Sequence, residues 1–233
     1  MITVALIGNP NVGKTELFNR LTGLKQHVGN WPGVTVEKKT GKCTYKGEEL
    51  EIVDLPGTYS LTTHAIDELI ARDYIVKEKP DVVVDIVDGT NLERNLYLTL
   101  LLLELEANVL VALNQWDMVK ERGIDIEVDK LSEFLGVPIV TTVAPTGDGI
   151  EKLKEVVVKA AKGKEKRRKV VLGYGDDIEA LIKKVENEIS KDMNLSSTYP
   201  SRWLAIKVLE KDDEVLKMIE DSPYKNEIME MVR

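Results

Sequence analysis

The 233-residue sequence contains a single cysteine, Cys43, so no internal disulfide can form, and no signal-peptide pattern opens it. A reducing compartment, the cytosol, is therefore expected. No stretch reaches the roughly 18 apolar residues that a membrane-spanning helix requires. The nearest candidate, Leu96 to Leu103, carries Thr99, is bounded by Arg94 and Glu104, and reads as a buried helix. Basic residues do not predominate: 32 Lys and Arg against 40 Asp and Glu leave a net charge of −8. That excludes a protein that coats nucleic acid by charge alone, and any bound polyanion must be held locally. Internal repeats and low-complexity tracts are also lacking. The two histidines, His27 and His64, fit no common metal-ligand spacing with Cys43, so an iron site built from them is not expected, and Cys43 reads as packing filler.

What the sequence does contain is enough apolar material, 43%, for a chain of this length to bury on the order of 70% of its unfolded surface. Short β-branched runs at 2–7, 82–87, 109–113 and 137–141 have the continuous apolarity of strands buried on both faces of a parallel sheet. Helix-length patterns at 14–21, 67–77, 92–105, 129–135 and 150–161 separate them, and this alternation predicts a doubly wound α/β fold. Residues 36–45 and 49–53 are joined only by Lys46, Gly47 and Glu48, which predicts a hairpin and one antiparallel edge strand. The expected fold is thus a mostly parallel six-stranded sheet with one antiparallel edge strand, followed by a small all-helical domain. Residues 1–163 form the first domain, the basic stretch beginning at Lys162 opens a linker over 164–175, and 176–233 carry only helical spacing, expected as two to four helices. The linker reads as solvated chain, with a patch facing anionic lipid or a larger partner as the alternative.

The loop Gly8, Asn9, Pro10, Asn11, Val12, Gly13, Lys14, Thr15 matches G-x-x-x-x-G-K-[ST] and lies between a strand and a helix. Its glycines let backbone N–H groups turn onto phosphates, Lys14 neutralises the β and γ oxygens, and the Thr15 hydroxyl is a Mg²⁺ ligand, with Glu16 adjacent. Asp54 to Gly57 (DLPG) closes the third strand, placing a carboxylate for the Mg²⁺ shell and a glycine N–H for the γ-phosphate. Thr35, in the long loop Gly23 to Thr35 with Gly33, supplies a second Mg²⁺ hydroxyl able to order that loop around a triphosphate. Asn114 to Asp117 (NQWD) follows the fifth strand. A carboxylate at Asp117 can accept both N1–H and N2–H₂ of guanine, a donor pair that adenine lacks, while Asn114 ties neighbouring loops together. Gln115 stands where a lysine stem usually covers the base, so weak affinity is expected. Thr142, Val143 and Ala144 are expected to give the last base contact, through the N–H near Ala144.

These motifs occur in the order of a P-loop GTPase, and residues 1 to about 163 resemble the translation-factor-like branch of that fold. Three segments narrow the resemblance: GNPNVGKT, the loop Gln26 to Glu37 (QHVGNWPGVTVE), and Arg202 to Glu210 (RWLAIKVLE). Together they resemble the FeoB family of ferrous iron transporters. That resemblance implies GTP and GDP as ligands and a helical domain that favours GDP. It also implies a place at the cytoplasmic face of the cell membrane, attached to a membrane-embedded iron permease region of the same longer polypeptide, of which this chain would be a soluble fragment. No nucleic-acid partner is expected, and self-association is left open.

For hydrolysis, the expected catalytic set is Lys14, Asn11, Thr35 and Gly57. Thr58, Tyr59 and Ser60 after Gly57 include no water-orienting amide, and no arginine lies between Gly23 and Ala71 to act as a finger. Asn11 offers a substitute, because its amide oxygen can ligate K⁺ together with carbonyls near Gly29 and Trp31. GTPases resembling this one with Asn at that position include potassium-activated members. The rival expectations are a nucleotide-gated docking module with negligible turnover and a ribosome- or RNA-associated GTPase, the latter disfavoured by the acidic balance.

Overall fold

The computed structural model describes residues 1–23, 26–62, 65–163 and 170–232. His64 and positions 164–169 of the basic stretch lie outside the described residues. Seven strands, β1 (Ile2–Gly8), β2 (Gln26–Asn30), β3 (Glu37–Tyr45), β4 (Glu48–Asp54), β5 (Val82–Asp88), β6 (Val109–Asn114) and β7 (Ile139–Thr141), form one sheet in the order β2-β3-β4-β1-β5-β6-β7. The apolar runs produce β1, β5 and β6 because both faces of each are covered, and every residue of β6 is buried.

The mostly parallel sheet has the expected antiparallel edge, and one count needs correcting: the described residues form seven strands rather than six, because β2 pairs antiparallel with β3 from Gln26↔Gly41 to Asn30↔Glu37 and adds a strand to that edge. All five residues of β2 are exposed, so no apolar alternation marks it in the sequence; backbone pairing holds it, with the Gln26 amide donating to Asn19, Thr22 and the Gly23 carbonyl at its start. It occupies part of the segment expected to be loop.

The helices are α1 (Lys14–Thr22), α2 (Ile66–Asp73), α3 (Leu92–Glu104), α4 (Trp116–Glu121), α5 (Val128–Leu135) and α6 (Ile150–Ala161). The helix expected over 67–77 changes at Tyr74 into a π-helical turn, Tyr74–Glu78, which ends at Lys79 with φ of 47°. Pro80 follows and disfavours helical backbone at the residue before it. Among the described residues five helices follow in the C-terminal part: α7 (Asp176–Ile189), α8 (Met193–Thr198), α9 (Ser201–Leu209), α10 (Asp213–Glu220) and α11 (Lys225–Glu230). The expectation of two to four fell short because short breaks restart the helix. Asp192 accepts from the Asn194 and Leu195 N–H groups, and Asp212 from those of Glu214 and Val215, as capping residues do.

Alternate strand residues divide the core. Val4, Leu6, Ile52, Val84, Ile86 and Leu110 face α1 and α6. Ala5, Ile7, Val53, Val83, Val87 and Val111 face α2, α3 and α5, and the same apolar cluster runs on into Ile182, Val185 and Trp203 of the helical domain. The helical domain therefore shares a core with the α2 and α3 face of the sheet. Among the described residues no helix is long and apolar enough to cross a membrane.

Candidate functional site

The site grows from the carboxyl ends of β1, β4, β6 and β7, where open α/β sheets bind their ligands. Gly8 ends β1 so close to β5 that an added Cβ would lie 2.6 Å from the Ile86 carbonyl oxygen, which only glycine tolerates. The loop then turns through Asn11 (φ 69°) and Gly13 (φ 89°) into α1, whose first residue is Lys14. Positive φ at both positions is the left-handed conformation that directs successive N–H groups into one concavity. The Asp54 segment is stitched onto this loop: the Leu55 N–H donates to the Leu6 carbonyl at 3.0 Å and the Thr58 N–H to the Gly8 carbonyl at 3.1 Å. Lys14 Nζ donates to Asp54 Oδ1, and Asp54 is only 8% exposed. A cation from the first turn of α1 and a carboxylate from the end of β4 thus meet at the head of α1. Thr15, Glu16, Pro10 and Asn11 are exposed around this pair, while Val12 is buried below it. A Cβ built on Gly57 would rest 3.7 Å from the Pro10 Cα, an ordinary contact, so local packing does not by itself demand glycine there.

Asn114 holds the other half together. It is 1% exposed; its Nδ2 donates to the Val12 carbonyl at 2.8 Å, and its Oδ1 accepts from the Thr142 hydroxyl and the Ala144 N–H, both at 3.1 Å. One amide therefore joins the phosphate-type loop, the end of β6 and the segment after β7. The N–H groups of Thr142 and Val143 are also engaged, by the Leu113 and Asp148 carbonyls. The expected base contact from Ala144 meets the same competition, since its N–H is already committed to Asn114. Gln115 has φ of 58° at the start of α4, and its Nε2 reaches the Asn11 carbonyl at 3.5 Å, the limit of a hydrogen bond. Asp117 is exposed in the first turn of α4, and among the described residues its carboxylate has no partner.

Comparison with known proteins bears on this architecture. A family model described as "Ferrous iron transport protein B" matches residues 2–157, and one described as "FeoB cytosolic helical domain" matches 174–233. The chain belongs to the FeoB family. Among its FeoB relatives, the Fe(2+) transporter FeoB of Methanocaldococcus jannaschii is 52% identical over 225 residues, covering 97% of this chain and 33% of the relative. The chain thus spans about a third of that relative's length. The cytosolic domain of the T. maritima FeoB iron transporter superposes in a GDP form with a TM-score of 0.90 and in a GMPPNP form with 0.89. Each is 44% identical and covers all of this chain and 93% of that one.

In this FeoB chain the segment between α1 and β3 is where sequence and structure diverge most. Gly29 lies in β2, paired with Lys38. The Trp31 carbonyl accepts from the Val34 N–H at 3.3 Å, and among the described residues no hydrogen bond joins Gly29 or Trp31 to Asn11. Gly33 (φ 75°) turns the chain, and Thr35 is exposed, its hydroxyl without a partner among the described residues. Lys14, Asp54 and Asn114 are brought together through the loop; Gly29, Trp31 and Thr35 are not. The donors at the loop fit the expected ions in kind. Asp54 and Thr15 offer the hard oxygens that Mg²⁺ takes. Asn9 Oδ1 is buried with no hydrogen-bond partner, an orphaned neutral acceptor two residues from the exposed amide of Asn11, as a monovalent cation would need. No group of three or more His, Cys, Asp or Glu side chains among the described residues could hold a metal ion. Burial raises the thiol pKa of half-buried Cys43, which suits an inert packing role.

Sequence reasoning missed Arg20. Its Nε donates to the Ala144 carbonyl at 3.0 Å and its Nη2 to that of Pro145, so α1 clamps the segment after β7. A basic residue at the helix end was visible, but its partners lie more than 120 residues away. Arg94 was also missed: its guanidinium carbon lies 4.4 Å from the centre of the Tyr59 ring, bracing the chain two residues beyond Gly57.

Proposed function

We propose that this chain binds GTP and GDP with Mg²⁺, hydrolyses GTP with activation by K⁺, and couples its nucleotide state to ferrous iron passage through a membrane region of a longer polypeptide. It would do so at the cytoplasmic face of the cell membrane. The observation that carries the reading is the meeting of Lys14 and Asp54 at the head of α1, with Asn114 fixing the base-side loops behind them. A FeoB cytosolic domain of 44% identity takes a GMPPNP form, which supports it.

In the proposed reaction, water attacks the γ-phosphorus and the bond to the bridging oxygen of GDP breaks, giving GDP and phosphate. The Lys14 ammonium would swing from Asp54 to the phosphate oxygens, and the N–H groups between Asn9 and Thr15 would hold the charge that develops. The oxygens freed at Asp54, with Thr15 and the incoming Thr35, would hold Mg²⁺; Asn11, with carbonyls near Gly29 and Trp31, would hold K⁺. These ions would neutralise charge on the bridging and γ oxygens. Asp117 would select guanine. Gly29, Trp31 and Thr35 must shift from their present positions to take part.

The test is GTP turnover by the whole chain in equimolar KCl and NaCl, with ATP as competitor. Faster turnover in KCl, lost in Asn11→Ala, with no competition by ATP, is expected. Equal rates in both salts would remove the potassium assignment, and competition by ATP the guanine one. A second reading, binding with negligible turnover, draws on Thr58: its hydroxyl donates to the Ser60 carbonyl at 2.7 Å, leaving no side chain there to orient water. Single-turnover rates with and without K⁺ separate the two.

A further inference from the structure

Between Asn30 and Thr35 only Trp31 is buried, at 7% exposure; Pro32, Gly33 and Thr35 face solvent. Its ring meets Tyr74 edge to face, 5.4 Å between centroids at 74°. Tyr74 opens the π-helical turn that follows α2, an irregularity that often marks functional positions. Lys38 Nζ lies 4.6 Å from the Trp31 ring centre and 5.7 Å from that of Tyr74, and forms no ion pair among the described residues. Its charge is answered by the faces of two rings.

This seat is specific in shape but incomplete in bonding. Trp31 Nε1 is buried with no hydrogen-bond partner, an unfavourable state for a donor. A cleft of about 730 Å³, lined by Trp31, Pro32, Val34, Ile66, Ile70 and Tyr74 among others, lies under the same segment, so beyond its backbone pairing the indole is the one buried side chain that seats it. The backbone completes the arrangement: the Trp31 N–H donates to the Val36 carbonyl at 2.9 Å, and the Trp31 carbonyl is taken by Val34. The Trp31 carbonyl and the Thr35 hydroxyl, two of the groups assigned to ions, lie on this seated turn, and among the described residues neither is hydrogen-bonded to the Lys14 loop.

We propose that Trp31 is a latch. Held between Tyr74 and Lys38, it keeps the segment from Gly29 to Thr35 in its open arrangement, and its withdrawal is a required step when a triphosphate orders that segment. The inference rests on the GTP-binding reading above. Because the aromatic pair and the ring-bound ammonium are present in the open arrangement and lost in the other, they bias the equilibrium toward the diphosphate state. Removing the Tyr74 ring should shift the ratio of triphosphate to diphosphate affinity by roughly fivefold to tenfold.

The experiment uses the whole chain labelled with 5-fluorotryptophan. Its three resonances come from Trp31, Trp116 and Trp203, with Trp31 assigned through Trp31→Phe. Solvent exposure is read from the H₂O/D₂O isotope shift with Mg·GDP and with Mg·GMPPNP. The Trp31 signal should be shielded with GDP and exposed with GMPPNP. Tyr74→Ala should expose it with both and tilt the affinity ratio toward GMPPNP, while Tyr74→Phe, which keeps the ring, should behave as the parent. Binding of both nucleotides with Trp31 shielded throughout, or an unchanged ratio in Tyr74→Ala, would overturn the latch alone. Failure of the parent chain to bind either nucleotide would overturn the GTP reading and the latch with it.

Discussion

Asn114→Ala separates the architecture of the base-side loops from their chemistry. The substitution deletes three hydrogen bonds at a residue 1% exposed and strands the Val12 carbonyl, the Thr142 hydroxyl and the Ala144 N–H in a region that water does not reach. A net hydrogen bond contributes about 1 kcal/mol, and a stranded buried group costs about 1 to 3 kcal/mol. Partial relaxation of the loops offsets some of this, and a loss of about 3 to 5 kcal/mol is expected, a large share of the roughly 5 to 15 kcal/mol typical of a domain. Asp117→Ala, at an exposed carboxylate without a partner among the described residues, should stay within about 0.5 kcal/mol of the parent. The assay is urea unfolding of the nucleotide-free chain followed by far-ultraviolet circular dichroism, comparing midpoints at equal slope. Both variants should lose guanine nucleotide affinity, but only Asn114→Ala should lose stability. An unchanged midpoint for Asn114→Ala would refute the view that this amide is structural before it is functional.

Other perturbations follow from the same structure. Asp85 is fully buried on β5, where it accepts from the Thr99 hydroxyl at 2.6 Å, and burial pushes its carboxyl from 3.8 up to about 7. The folded chain keeps this proton after the unfolded chain has released it, so stability falls as pH rises from about 4 to 7 and levels off above; Asp85→Asn should remove a pH-dependent loss of order 4 kcal/mol, read from thermal midpoints across that range. Arg20→Ala releases the carbonyls of Ala144 and Pro145 and should weaken guanine nucleotide binding about threefold to tenfold by calorimetry, with a stability change of about 1 kcal/mol or less. Asp117→Asn exchanges an acceptor for a donor and should shift preference from guanine to xanthine nucleotides in competition assays.

The parts of the fold legible in the sequence are those where one physical demand dominates. β1, β5 and β6 are covered on both faces, so their apolar runs have no other use, and the phosphate-type loop is constrained at Gly8 by β5 and at Gly13 by its left-handed backbone. Where backbone pairing substitutes for side-chain burial the signal vanishes, as in β2, five exposed residues that read as loop. The breaks at Asp192 and Asp212 are caps whose meaning depends on where the preceding helix stops, and this concealed how many helices the C-terminal domain holds. At the site, the residue types at the strand ends were readable but their commitments were not. That the Ala144 N–H is held by Asn114, that Arg20 clamps the next carbonyls and that Trp31 is buried against Tyr74 all depend on contacts between distant positions, which one sequence does not encode by spacing.

Arg72 has a mechanical consequence. It leaves α2 for the seam with the helical domain and is fully buried, its guanidinium carbon 5.7 Å from the Trp203 ring centre. Its nearest carboxylates stand at 3.6 Å (Asp73) and 4.0 Å (Asp212), and neither Nε nor Nη1 has a hydrogen-bond partner. Asp73 rides on the same helix, so a small slide of α2 changes only the distance to Asp212 across the seam, either closing that gap or pulling the dehydrated cation away from its one carboxylate in the helical domain. The seam between the two domains should therefore behave as a detent rather than a bearing, resisting gradual creep and passing motion on in whole clicks.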